Sequence, residues 1–133
     1  MDAAATVDAY YDALRSGEAL APFFARDATV KFGIGEELYG FDGIEAGLTA
    51  QTETTDGWRV ESDRLRVTER EGYAWFSDEV VMAWRDLERG IDREFDTRWS
   101  GTLERRPDAE GARPIDTSWR FVAMHVSTPG GTR

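Results

Sequence analysis

The hydrophobic pattern of this chain changes period once, near Trp58. Before Asp56-Gly57, apolar residues recur at helical spacing; from Trp58 onward they alternate. Three helices, with one short strand among them, followed by four long strands joined by short turns, pack as an α+β domain with the helices on one face of an antiparallel sheet. A bend in that sheet leaves a concave side, which helices closing one end turn into a cone with an apolar pocket.

The helical part reads in three pieces. Val7, Tyr10, Tyr11 and Leu14 form one apolar stripe that Ser16-Gly17 ends, and Leu20, Phe23 and Phe24 repeat the spacing in a shorter helix. The strand 28–33 alternates Val30 and Phe32 with Thr29 and Lys31, and Gly33, Gly35 and Gly40 mark a loop. In the third helix Asp42 reads as the N-cap, with Glu45 three residues on and Phe41, Ile44 and Leu48 on the apolar side.

The strand part begins with 58–67, where Trp58 and Val60 share one parity and Leu65 and Val67 the other. That slip predicts a bulge or sharp bend near Glu61 to Arg64. Glu71-Gly72 turns into 73–86, LERGID turns into 93–106, and the last strand is 117–127. PDAEGARP (107–114) reads as a polar surface loop and TPGGTR (128–133) as a frayed tail, leaving a single domain over 1–127.

Composition narrows the classes. The chain has 133 residues, 41% of them hydrophobic and including five Trp, which suffices for one real core. Without cysteine there is no disulfide, thiolate metal site or Cys nucleophile, and one histidine makes a protein-only zinc site improbable. No cofactor is expected, since the sequence contains no Walker loop, GxGxxG, GxSxG or HExxH. The net charge of −10 opposes nucleic acid and anionic membranes as partners and keeps the protein soluble. No apolar run reaches the roughly 20 residues of a membrane span, and the acidic N-terminal stretch lacks a secretory pattern, so a cytoplasmic protein is expected.

Three stretches carry a family resemblance. AYYDALRSGEALAPFFARDATVKF (9–32), FGIGEELYGFDGIEAG, and RWSGTLERR followed by WRFVAMHVS (119–127) resemble, in order and spacing, the nuclear-transport-factor-2-like superfamily and its SnoaL-like group. FGIGEELYG with WRFVAMHVS is similar to the branch near kinase-association domains and AtzH-like proteins. The resemblance implies a cone-shaped fold of three N-terminal helices on a strongly curved antiparallel sheet, a pocket for a small apolar or aromatic ligand, and a homodimer formed through the sheet face. It does not imply one activity, because the superfamily holds isomerases, cyclases, dehydratases and association hubs.

Candidate site residues follow from both readings. Tyr10 matches the family's helix-one tyrosine, but the steroid-isomerase base falls at Phe32 and its later acid near Trp99 or Ser100, so ketosteroid isomerisation is rejected. His125 reads first as a buried imidazole satisfied by hydrogen bonds, then as a ligand contact, then as an acid–base group paired with Tyr10, Glu79 or Asp96. Strand parity alone groups His125 with Trp119, Phe121, Ala123 and Ser127. Arg98 sits in a strand otherwise built for burial and needs a carboxylate, with Glu79 as one candidate, or an anionic ligand. Trp58, Trp84 and Trp99 read as core or interface residues, some of which wall the pocket with Tyr10, Phe32, Arg98 and His125. A small-molecule pocket protein of unassigned activity is the leading reading. The alternatives are a cyclase-, isomerase- or dehydratase-like enzyme, or an association module with a vestigial pocket.

Overall fold

The computed structural model describes residues 1–107 and 115–129. Most of the expected 107–114 loop and the end of the expected tail lie outside the described residues. Helix α1 spans Ala3–Ser16, opened by the Asp2 carboxylate accepting from the Ala5 N–H at 2.8 Å and closed by Gly17 in the left-handed region at φ 69°. The stripe Val7, Tyr10, Tyr11 and Leu14 is buried as its spacing requires.

The expected second helix is a single 3-10 turn, Ala21–Phe23. The chain becomes extended at once at Phe24, which bridges Phe121. Strand β1 (Val30–Gly33) forms a hairpin with β2 (Glu36–Tyr39), where a loop was expected, and Gly35 turns it at φ 69°. Helix α2 (Gly40–Thr54) therefore starts directly from β2, and Asp42 falls within its first turn instead of capping it. Among the described residues, no helix is long and apolar enough to cross a membrane.

The alternating part folds as β3 (Thr55–Ser62), β4 (Arg66–Glu69), β5 (Tyr73–Asp86), β6 (Ile91–Arg105) and β7 (Trp119–Ser127). The sheet is curved and unclosed, in the order β2-β1-β7-β6-β5-β3, with β4 also pairing β5. All pairings are antiparallel except β1 with β7, which is parallel. The bend expected near Glu61 to Arg64 is the break between β3 and β4. Asp78 holds it from the core side, accepting from the Tyr11 hydroxyl (2.8 Å), the Ser62 hydroxyl (2.6 Å) and the Arg64 N–H (2.9 Å). A buried carboxylate with three donors is satisfied within the protein, so Asp78 is structural.

One face of the sheet is the core face. Along β5, Ala74, Phe76, Asp78, Val80 and Met82 are buried, and Trp75, Ser77 and Glu79 are exposed. The β6–β7 pairing shifts between Thr102 and Leu103, which oppose Ala123 and Phe121, leaving Val122 as an extra residue. The bulge reverses parity partway along β7. Trp119 and Phe121 are buried before it, Met124 and Val126 after it, and His125 is exposed. Gly101 makes room beside the bulge, because a Cβ there would lie 2.7 Å from the Ala123 carbonyl and 2.8 Å from the Phe76 ring. Gly101→Ala is therefore expected to lower unfolding free energy by about 1–3 kcal/mol, read from urea denaturation midpoints. An unchanged midpoint would mean the sheet can open at this point without strain.

Candidate functional site

The cone holds an open-mouthed cavity, about 580 Å³ of empty space when the mouth is counted. Tyr10 and Leu14 of α1, Trp58 of β3, Met82 and Trp84 of β5, Trp99 of β6 and Val126 of β7 make its walls, with Lys31, Glu36 and Gln51 among the polar groups. The walls are mainly aromatic faces. Trp58 and Trp84 stack at 4.6 Å between ring centroids, and Tyr10 is wedged edge-on among Phe23, Phe24, Trp99 and Phe121. Of the three indole N–H groups that line the cavity, two are already used. Trp58 Nε1 donates to the Thr55 hydroxyl at 2.8 Å and Trp99 Nε1 to the Thr97 hydroxyl at 2.9 Å. These tryptophans therefore offer a ligand flat apolar surface, and polar recognition falls to the remaining groups.

The strongest of those groups is an ion pair. Lys31, 5% exposed, places Nζ 2.6 Å from Glu36 Oε1 across the β1–β2 hairpin. Gly33 makes this geometry possible. It faces Glu36 in the hairpin register, and a Cβ on it would lie 2.5 Å from Glu36 Oε1. The Tyr10 hydroxyl has no hydrogen-bond partner among the described residues. Burial, and secondly the Glu36 charge, push it far above its ordinary pKa of 10.0, so it remains a proton donor. The cavity therefore offers one ammonium, one carboxylate and one phenol within aromatic walls.

The expected site residues divide between the two sheet faces. Tyr10, Trp58, Trp84 and Trp99 line the cavity. Phe32, Glu79, Arg98 and His125 lie on the opposite, outer face. His125 sits edge-on to Phe32 at 5.9 Å between centroids and shares an open polar groove with Arg64, Arg66, Ser77, Glu79, Arg98 and Ser100. His125 is not a buried imidazole, and its side chain and the Tyr10 hydroxyl are on different sides of the sheet. Glu79 stands opposite Arg98 in the register, but its ion pair is with Arg64 at 3.5 Å. Arg98 is exposed, which removes the need for a buried counter-charge. Among the described residues, no group of three His, Cys, Asp or Glu is placed to hold a metal ion.

Sequence reading missed Lys31 and Glu36. The alternation of β1 was legible, but its phase was read from hydrophobicity, which puts Val30 and Phe32 inward. The structure turns Lys31 inward and leaves Phe32 half-buried outside. One signal was available: Lys31 is the sole lysine among 16 basic residues.

Comparison with known proteins agrees with this fold. The family model described as a SnoaL-like domain matches residues 3–130. No curated protein matches the sequence significantly. Among solved structures, a nuclear transport factor 2-like superfamily protein from Salmonella enterica serovar Typhimurium superposes with TM-score 0.77 at 16% identity, covering 96% of this chain and 89% of that one. A protein from Streptomyces avermitilis named as a dehydratase of the NTF2-like family gives 0.77 at 13% identity, covering 94% and 92%. A protein from Xanthomonas campestris named as a calcium/calmodulin-dependent protein kinase II association domain gives 0.74 at 17% identity, covering 96% and 86%. At these identities the likeness establishes the fold.

The two buried tyrosines set a pH limit. Tyr11, like Tyr10, is raised well above 10.0, by burial first and then by the Asp78 charge. Below pH 10 both stay protonated in the folded and unfolded chain. Above it, the unfolded chain releases protons that the native state retains, so stability falls with rising pH by about 1.4 kcal/mol per unit for each tyrosine. Denaturant titrations from pH 8 to 11.5, followed also by phenolate absorbance, should show the decline starting near pH 10. Their ionisation should coincide with unfolding. Ionisation of all four tyrosines in the folded protein would contradict this.

Proposed function

Because the chain belongs to the SnoaL-like domain family, we propose that it binds a small, flat, mostly apolar or aromatic molecule bearing one oxygen function in its cone. The observation that carries this is the partition of the cavity. Trp58, Trp84 and Trp99 supply aromatic faces, the N–H groups of Trp58 and Trp99 being spent on Thr55 and Thr97, while Lys31, Glu36 and Tyr10 cluster as polar contacts. An acid–base enzyme acting on such a ligand is the alternative. Its chemistry would fall to Glu36, Lys31 and Tyr10, because His125 and Glu79 lie on the outer face. Relatives named as a dehydratase and as an aromatic ring hydroxylase make a ligand of this shape reasonable.

Titration of the wild type with 2-naphthylmethanol and 2-naphthoate, followed by tryptophan fluorescence, tests this reading. Saturable quenching is expected, weakened about tenfold or more by Trp84→Ala, which removes a stacking wall. His125→Ala and Arg98→Ala should bind like the wild type. Quenching lost in the outer-face variants and kept in Trp84→Ala would place the ligand in the outer groove.

We also infer that the outer face of β5, β6 and β7 serves self-association. It exposes Trp75 (43%) and Tyr73 (50%), stacked on each other, and relatives named as association domains share the fold. Sedimentation velocity of the wild type should give a dimer that Trp75→Arg weakens. A monomer at all concentrations would overturn the inference.

A further inference from the structure

The cavity's ion pair has a feature that ligand binding alone does not use. Fifteen of the sixteen basic residues are arginine, and the one lysine is the cation that lines the cavity. For holding Glu36, arginine would serve at least as well, since its planar fork binds a carboxylate through two hydrogen bonds. What lysine can do and arginine cannot is give up its proton and become a nucleophile. Glu36 Oε1, 2.6 Å from Nζ, is placed to take that proton.

We propose that Lys31 is an imine-forming residue and that the ligands of the cone are aryl or conjugated aldehydes and ketones. This inference rests on the cone being a ligand pocket. In the first step the Lys31 ammonium passes a proton to the Glu36 carboxylate. The freed nitrogen pair attacks the carbonyl carbon, and the C=O π pair moves to oxygen, which takes a proton from the attacking nitrogen to give a neutral carbinolamine. The hydroxyl then leaves as water with the proton returned from Glu36, and the nitrogen pair forms the C=N bond. Overall, ammonium and carbonyl compound become a protonated imine and one water, with charge conserved. The product cation stays beside the Glu36 carboxylate, so the pair that holds the lysine also stabilises the imine.

The surroundings fit this step. Trp58, Trp84, Trp99, Met82 and Val126 wall the cavity with apolar surface, which favours a condensation that expels water. The Tyr10 hydroxyl lines the same cavity, without a protein partner among the described residues, as a donor for the carbonyl oxygen. Gly33 adds no side chain where Glu36 must reach Lys31. No other lysine competes, so an adduct on a lysine side chain has one possible address.

The test is reductive trapping on the full chain. Wild-type protein is incubated with 2-naphthaldehyde and cyanoborohydride and analysed by intact mass and tryptic mapping, with tryptophan quenching by non-electrophilic 2-naphthylmethanol measured in parallel. A reduced adduct on Lys31 blocks cleavage there and fuses the peptides on either side into 27–59. We expect that fused peptide to form at a rate that saturates with aldehyde, to exceed modification of the N-terminal amine, and to be suppressed by 2-naphthylmethanol. At saturating aldehyde Glu36→Gln should trap about a hundredfold more slowly than the wild type, and Lys31→Arg should form no adduct at residue 31. Quenching without a Lys31 adduct, or an adduct forming linearly with aldehyde and indifferent to the competitor, would overturn the imine inference and leave the pocket reading intact. Absence of quenching by either compound would overturn the pocket reading itself. These wild-type results decide the matter even where a variant fails to fold.

Discussion

The structure depends on the extra residue in the last strand. Two residues of β6, Thr102 and Leu103, face a stretch of β7 that is one residue longer, and Val122 takes up the difference. A bulge of this kind strengthens twist and bends the strand. Here it also exchanges the faces of everything that follows. Met124 and Val126 turn inward to finish the core and the cavity wall, and His125 turns outward. Gly101 is the compensating feature on β6, the position where a side chain would collide with the bulged backbone.

This reversal separates two kinds of chemistry by the thickness of one sheet. Inside are aromatic faces and a compact polar set: Tyr10, Lys31 and Glu36. Outside are Arg64, Arg66, Arg98, His125 and Glu79, all within reach of water. Exposed ion pairs such as Arg64–Glu79 contribute little to stability. Lys31–Glu36 differs because the lysine is nearly sealed from solvent, and removing its partner would leave a buried charge uncompensated. A pair of that kind is a costly choice in a core that could be apolar throughout. Its place at a cavity wall is what the proposed ligand chemistry rests on.

Much of the fold was legible in the sequence because it rests on local periodicity. The α1 stripe, the Gly17 stop, the bend after Glu61 and the three long strands all follow from side-chain spacing and turn residues. The 3-10 turn and the β1–β2 hairpin were not legible, since Leu20–Phe24 and Ile34–Tyr39 are too short for spacing to distinguish helix, strand and loop. Of the residues expected at the pocket, Tyr10, Trp58, Trp84 and Trp99 line the cavity. The outward placement of His125 was missed because a bulge deep in a strand leaves no local signal, and parity counted through it reverses. Lys31 was missed for a related reason: a four-residue strand has two faces, and hydrophobicity chose the wrong one.

The central claim is that Lys31 sits sealed against Glu36 in a ligand cavity, and the chain's single lysine allows it to be tested without assignment. Protein labelled with ¹⁵N-lysine should show one ammonium Nζ–H resonance near neutral pH. Burial against Glu36 should slow its exchange with water enough for it to be seen, and 2-naphthylmethanol should shift it. Glu36→Gln should broaden or move it in the absence of ligand. A signal lost to rapid exchange in the wild type, or one indifferent to both ligand and Glu36→Gln, would contradict the account.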